Sequence, residues 1–379
     1  MTTAKEYSRI KLRLSLIGFG MTLIFLALVF VTGLSHLFIQ WASLFSSNLF
    51  VWIPFYLLLL GIVEYVVDFP LHYYSSFYLE HRYQLSNQTL TAWLWRDLKQ
   101  ALIGFAFAIP LMEGFYFLLR YGSDYWWSFA ALGWTLITML LARILPTWII
   151  PLFYRVKPLS NELLNQRLQQ LCKQAEMPVR AIYELGLSRD TKKANAALVG
   201  WGRSRRVLLG DTLVTQFSPE ETAAVLAHEL GHHHYRHIWK LVVVSALTGL
   251  FGFFLIDKVI VLTIQHQFLI SYDDLAGFPL IAFFITIFSF LMLPLQNGYS
   301  RRLERQADRF AIELTQDRTH FISSMEKLAE QNLSDKNPHP LVEFFFYDHP
   351  AIGKRIEMAK NDQLPNRPQP PAAEGCHRS

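Results

Sequence analysis

LSLIGFGMTLIFLALVFVTGLSHLFIQWASLFSSNLFVWIPFYLLLLGIV, residues Leu14 to Val63, contains no Asp, Glu, Lys or Arg. One helix crosses the hydrocarbon core of a bilayer with about 20 apolar residues. Fifty uncharged residues in a row therefore predict two spans, roughly Leu14–Ser35 and Phe50–Phe69. The first is too long for the apolar region of a signal peptide, and no small-residue cleavage site follows it, so it reads as a retained helix. Working outward, the same criterion predicts spans at roughly Ala101–Leu119, Tyr125–Ile150, Leu241–Ile264 and Phe278–Asn297. Asp257 and Lys258 interrupt the fifth. The count is six, or seven if the long fourth segment breaks at Pro146.

Composition agrees with a membrane bundle. Of 379 residues, 52% are hydrophobic and only 17% charged, against about a quarter charged in soluble chains. Aromatic residues reach 15%, which suits interfacial Trp and Tyr belts. The formal net charge is +5, and the cations lie beside apolar segments rather than in one basic arm. That placement speaks for positive-inside loops and against a nucleic-acid partner. Lys5, Arg9, Lys11 and Arg13 precede the first span; Arg82, Arg96 and Lys99 separate the second and third. Many Lys and Arg lie between Arg155 and Lys240, and Arg301, Arg302 and Arg305 follow the sixth. The intervening loops are poor in cations. Six spans thus place both termini and residues 155–237 on the cytoplasmic side. Cys172 and Cys376 form no CxxC pair, which argues against a disulfide framework and a thiolate metal site.

The expected organisation is N-terminal membrane helices over 1–154, a cytoplasmic segment over 155–237, a membrane helical pair over 238–300, and a second, mainly helical extramembrane segment over 301–361. A disordered Pro-rich tail follows over 362–379. Within 155–237, Arg206–Leu209 followed by Gly-Asp predicts a short strand and turn.

The chemistry lies at Ser218-Pro-Glu-Glu-Thr-Ala-Ala-Val-Leu-Ala-His228-Glu229-Leu-Gly-His232. Ser218 suits a helix N-cap, Pro219 the first helical position, and Glu221 completes a capping box. On the helix that follows, His228 and His232 stand four apart on one face and can grip one ion. Glu229 can reach a water on that ion as general base. This is the HExxH pattern of zinc peptidases. Charged helix faces with incidental histidines produce it by chance, but here the helix start, the small Gly231 and a downstream carboxylate accompany it. A metzincin would need Gly at 235 and His at 238; Tyr235 and Ile238 stand there. The remaining candidate for a third ligand is Ser300-Arg-Arg-Leu-Glu304-Arg-Gln-Ala-Asp308. Glu304 and Asp308 share a helical face, and Asp308 can accept the free N–H of a ligating histidine. His233 and His237 read as rim or solvent positions. Glu64, Asp68 and His72, four apart on the second helix, suggest a polar interior facing water rather than lipid.

HELGH, an apolar helical pair, SRRLERQAD, and then Asp348-His349-Pro350 with Arg355 resemble the type I CAAX prenyl endopeptidases and their bacterial relatives. Glu80-His-Arg-Tyr-Gln-Leu-Ser-Asn-Gln-Thr89 and Ala194-Asn195-Ala196 leading to Arg206–Thr212 fit the same pattern, so the resemblance covers about Glu80 to Glu357. It implies a polytopic, mainly α-helical membrane protein enclosing a chamber, with a gluzincin-like zinc peptidase domain containing a small β-sheet. It implies one Zn2+ per chain on His228, His232 and Glu304, with Glu229 as base and Asp308 behind the ligands. It implies His349 and Arg355 as oxyanion-stabilising or orienting groups, and Asn195, Ala196 and Ala197 as an edge that pairs with the substrate backbone. The partners so implied are peptide or protein substrates, lipidated or membrane-embedded, and membrane lipids. The alternatives are a membrane quality-control metalloprotease of the heat-shock type, and a transporter or scaffold with a vestigial site.

Overall fold

The computed structural model describes residues 3–200 and 202–361, and six of its helices are long and apolar enough to cross a membrane. The predicted tail, with Cys376, lies outside the described residues. α1 (Thr3–Val31) ends where Gly33 adopts a left-handed backbone, φ 73°, that turns the chain into the short α2 (Leu34–Ser43). α3 (Leu49–Tyr73) begins on Asn48, whose side chain accepts the Phe50 N–H, and continues through a wide turn at Tyr74–Tyr78 to Arg82. α4 (Leu90–Tyr121) and α5 (Trp126–Ile144) follow. Beyond α5 the helix widens at Leu145–Ile149 and runs on to Phe153. Pro146 therefore loosens the fourth span without ending it, and the alternative of seven spans does not arise.

A four-stranded sheet comes next: β1 (Val156–Pro158), β2 (Ala181–Leu185), β3 (Ala196–Val199) and β4 (Arg206–Gly210), in the order β1-β2-β4-β3. β2 and β4 are parallel, joined by a crossover, and the outer pairs are antiparallel. α6 (Glu162–Gln174) lies between β1 and β2. After β4 the expected Gly-Asp turn is instead the start of a helix, α7 (Asp211–Gln216). Asp211 accepts the N–H groups of Leu187 and Ser188 at 2.9 and 2.8 Å, so its side chain ties the two parallel strand ends together.

α8 (Pro219–His234) starts on Ser218 with both bonds of the predicted capping box present. α9 (His237–Gln265) is the fifth span. Asp257 does not break it, because the acid is buried, accepts the Trp126 indole N–H at 2.8 Å and pairs with Lys258 at 3.1 Å. α10 (Phe278–Thr315), α11 (Arg318–Gln331), α12 (Pro340–Phe346) and α13 (Ile352–Asn361) complete the described chain.

Two large apolar cores and two small ones result among the described residues. One of the large cores joins Val29, Ile53, Tyr56, Tyr116, Trp126 and Ile260 among the membrane helices. The other joins Leu168, Leu209, Leu226, Leu230, Ile312 and Phe321 around the sheet and α8. α10 belongs to the second core at its C-terminal end and to the membrane bundle at its N-terminal end. At 38 residues it is about 57 Å long, and the boundary expected at residue 300 falls inside it without a break. Glu64 and Asp68 line a cavity of about 340 Å³ against Gly18, Thr22 and Phe25 of α1, while His72 pairs with Asp97 at 3.0 Å.

Candidate active site

The site forms where α8 crosses α10. Gly231 permits the crossing: a Cβ there would stand 2.9 Å from the Cα of Ala307. His228 and His232 project from α8 and Glu304 from α10, and one ligand atom from each lies within 4.8 Å of the others. His228 Nε2 is 3.2 Å from Glu304 Oε2, His232 Nε2 is 3.3 Å from Glu304 Oε1, and the two Nε2 atoms are 3.1 Å apart. His228 and Glu304 are buried; Glu229, next on the helix, is half-buried.

The opposite edges of the two imidazoles fix their tautomers. His228 Nδ1 meets Asp308 Oδ1 at 2.8 Å. A buried carboxylate there makes Nδ1 the donor and turns the Nε2 lone pair toward Glu304. Arg355 grips Asp308 by two bonds, Nε to Oδ2 at 2.8 Å and Nη2 to Oδ1 at 2.5 Å. Its guanidinium is thus engaged with Asp308, behind His228. His232 Nδ1 lies 3.0 Å from His237 Nδ1, and His237 Nε2 lies 3.2 Å from Gln306 Oε1. The Gln306 carbonyl can only accept, so His237 Nε2 carries the proton and its Nδ1 is free to accept the His232 Nδ1–H. His232 Nε2 is then also a bare lone pair.

Two lone pairs and a carboxylate facing one another need a cation between them. Glu304 Oε2 is buried and accepts no hydrogen bond, although His228 Nε2 and His349 Nε2 stand 3.2 and 3.3 Å away. Burial lowers the pKa of His228, but Asp308 and Glu304 outweigh it and raise it to about 9, so the surrounding carboxylates favour positive charge at this point. The donor set, two imidazoles and one carboxylate, fits a divalent zinc-type ion with an open fourth position.

His237 corrects the sequence reading. It is buried at 1% exposure against His232 rather than at the rim. Counting i, i+5 assumed one helix, yet Arg236 takes a left-handed backbone, φ 54°, between α8 and α9. That break returns His237 to the face of His232. Gln306 was likewise overlooked, and its place between Glu304 and Asp308 was the available signal. His233 is half-buried and lies 2.9 Å from the carbonyl oxygen of Leu198 on β3.

His349 lies across Glu304 from the α8 ligands, with its Nδ1 2.8 Å from Asp348. Burial lowers its pKa, but Asp348 and Glu304 prevail and raise it, favouring a charged donor beside the site. β3 is one of the two outer strands of the sheet. Asn195 accepts the Gly210 N–H at 2.8 Å, so its polar groups face β4, and alternation points those of Ala196 outward. Asn332 Oδ1 accepts the Ala194 N–H at 3.1 Å, and Leu198 is engaged by His233. The open backbone edge is therefore centred on Ala196, with Ala197 turned back toward β4.

Residues 158–363 match peptidase family M48, and residues 1–155 match the family described as CAAX prenyl protease N-terminal, five membrane helices. In that second stretch the chain has four spanning helices and the short α2. The chain is 29% identical over 371 residues to an uncharacterized metalloprotease, YhfN, of Bacillus subtilis, covering 96% of this chain and 86% of that one. It is 28% identical over 318 residues to CAAX prenyl protease 1 of Saccharomyces cerevisiae, covering 79% and 70%. The crystal structure of S. mikatae Ste24p superposes with a TM-score of 0.79 at 24% identity, covering 94% of this chain and 88% of that one. The fold is accordingly the chambered, helical membrane architecture that the resemblance implied.

Proposed function

This chain belongs to peptidase family M48 and is a multi-pass membrane metalloendopeptidase, and from that premise we propose how its residues cut a peptide bond. The observation that carries the proposal is the convergence of His228, His232 and Glu304 within 4.8 Å, with their outer nitrogens anchored by Asp308 and His237. One Zn2+ held there supplies Lewis acidity toward a water and a carbonyl oxygen. Glu229, one step round α8, takes the proton of the attacking water and returns it to the leaving amine. His349, charged and half-exposed with 50% of its side chain accessible, donates to the oxygen that gains charge as the carbonyl carbon becomes tetrahedral. Arg355 keeps Asp308 ionised and aimed at His228. The Ala196 edge of β3 takes the substrate as an added strand, and the neighbouring Asn195 and Ala197 hold that edge in register with β4.

The likeness over 1–155 to a CAAX prenyl protease N-terminal region supports substrates cut near a lipidated C-terminus, over the heat-shock-type alternative. Cation-rich loops support an active site and termini on the cytoplasmic side. The test is zinc content of the detergent-purified protein beside Glu229→Gln and Glu304→Ala, with a fluorogenic farnesylated peptide. The expected outcome is about one zinc in the wild type and Glu229→Gln, little in Glu304→Ala, and chelator-sensitive cleavage by the wild type only. Near-normal turnover by Glu229→Gln overturns the mechanism. Zinc without cleavage of the farnesylated peptide overturns the substrate class and directs the search to unlipidated membrane proteins.

A further inference from the structure

The cavity of about 920 Å³ at the sheet end of α4 and α5 plays no part in the chemistry above. Its walls come from the first turns of α4, the end of the fourth span at Pro151–Phe153, and the loop after β2. Lys99 and Arg155 mark its level. Lys99 lies just before the apolar run of α4, and Arg155 just beyond the last residue of the fourth span. Both therefore stand where hydrocarbon gives way to headgroups.

The charges lining it do not cancel. Arg96 pairs with Asp190 at 2.9 Å and lies over the Tyr154 ring at 4.5 Å, and Lys157 pairs with Glu184 at 3.0 Å. Asp211 is committed to three backbone N–H groups, those of Leu187, Ser188 and Thr212, and to the Ser188 hydroxyl. Among the described residues neither Lys99 nor Arg155 has a carboxylate partner, and Arg189 has only the distant, already shared Asp190 at 3.9 Å. Positive-inside loops commonly leave cations in water, but these line a concavity whose lipid-facing lip is apolar. Trp95 is 60% and Leu152 56% exposed there, and Lys99 approaches the Trp95 ring at 5.8 Å. Cations along the walls and an exposed indole at the rim match a phosphodiester joined to acyl chains.

We propose that this cavity is a binding site for the headgroup of an anionic phospholipid, with Arg155 and Lys99 donating to its phosphate while the chains lie over Trp95 and Leu152. Arginine supplies a planar fork to two phosphate oxygens and lysine a point charge. The bound lipid braces the join between the fourth span and β1, the one covalent path from the N-terminal helices into the sheet. The site is independent of the peptidase reading and does not require metal.

The test is native mass spectrometry of the full chain in neutral detergent, titrated with phosphatidylglycerol or phosphatidylcholine of equal chain length. The wild type is expected to retain one phosphatidylglycerol more tightly than phosphatidylcholine. Each cation contributes about fivefold, corresponding to about 1 kcal/mol, so the double variant Lys99→Gln/Arg155→Gln should bind about 10–30-fold more weakly. Lys5→Gln/Arg9→Gln, at the same membrane face but outside the cavity, should retain the lipid, and the melting temperature in phosphatidylcholine should be unchanged by either pair. Equal retention by wild type and the cavity variant overturns the proposal, as does equal loss in the Lys5/Arg9 control. Displacement by millimolar inorganic phosphate as readily as by the diacyl lipid overturns it too, since the site would then bind phosphate alone. So does intact lipid retention with a raised KM for free-acid over amidated peptides, which would make the cavity a substrate-carboxylate site.

Discussion

Replacing Gly231 by alanine tests whether the metal site depends on the distance between two helices. A Cβ at this position would meet Ala307 Cα at 2.9 Å, its carbonyl oxygen at 3.2 Å and its Cβ at 3.3 Å. Carbon atoms settle at about 3.5–4.0 Å, so α8 and α10 must separate by about 0.5–1 Å. The obstacle is largely backbone, and no rotamer change relieves it. The histidines ride on one helix and Glu304 on the other, while metal–ligand distances tolerate about 0.2 Å. Glu304 therefore leaves the ligand set, and zinc affinity should fall at least about 10–100-fold, the scale for disturbing outer contacts alone. Overpacking costs about 1–3 kcal/mol, offset by about 1 kcal/mol of helix propensity, so the protein should still fold with a melting temperature lowered by a few degrees. Chelator competition gives the affinity and thermal unfolding in detergent gives the stability. Zinc affinity within twofold of wild type, with normal turnover, would refute the argument that close approach of these helices builds the site.

The remaining predictions follow from neighbouring contacts. His237→Phe keeps the buried volume but removes the acceptor for the His232 Nδ1–H; zinc affinity should fall about 10–100-fold, and Gln306→Glu, which retains an acceptor, should be milder than Gln306→Met by the same chelator competition. Arg355→Met removes both guanidinium bonds from the buried Asp308 and leaves its carboxylate only the His228 Nδ1–H, which should cost about 3–5 kcal/mol in unfolding free energy, whereas Arg355→Lys should recover part of it. Glu221 has its pKa lowered: burial opposes, but Lys327, Ser323 and the Ser218 N–H prevail. A depressed folded pKa gives stability that is present above the unfolded carboxyl value, about 4.3, and lost as pH falls through the lower folded value. Glu221→Gln should therefore melt lower than wild type at pH 7 and converge with it in acid; a gap that persists in acid would assign the effect to packing.

What could be read from the sequence divides by physical cause. Apolar length and cation placement are properties of segments, and they gave all six spans of Thr3–Thr315 without reference to contacts. The capping box at Ser218 and the pairing of His228 with His232 are local to one helix, and both appear as expected. Readings failed where a backbone dihedral or a distant partner decides. The left-handed Arg236 returned His237 to the site, and the cap provided by Asp211 to the 187–188 loop replaced a turn with a helix. Asp257 looked like an interruption because its partner, Trp126, lies 131 residues away. The same reasoning explains the long α10. A single helix, with Pro294 inside it, runs from the membrane-spanning stretch to Glu304 and Asp308, so under the proposed function a substrate held in the bilayer and the groups that cut it would share one helical frame. Two glycines or a proline inserted near Tyr299, outside the site, should therefore lower turnover of a membrane-anchored peptide more than that of a short soluble one. Equal losses on both would show that the frame serves folding alone.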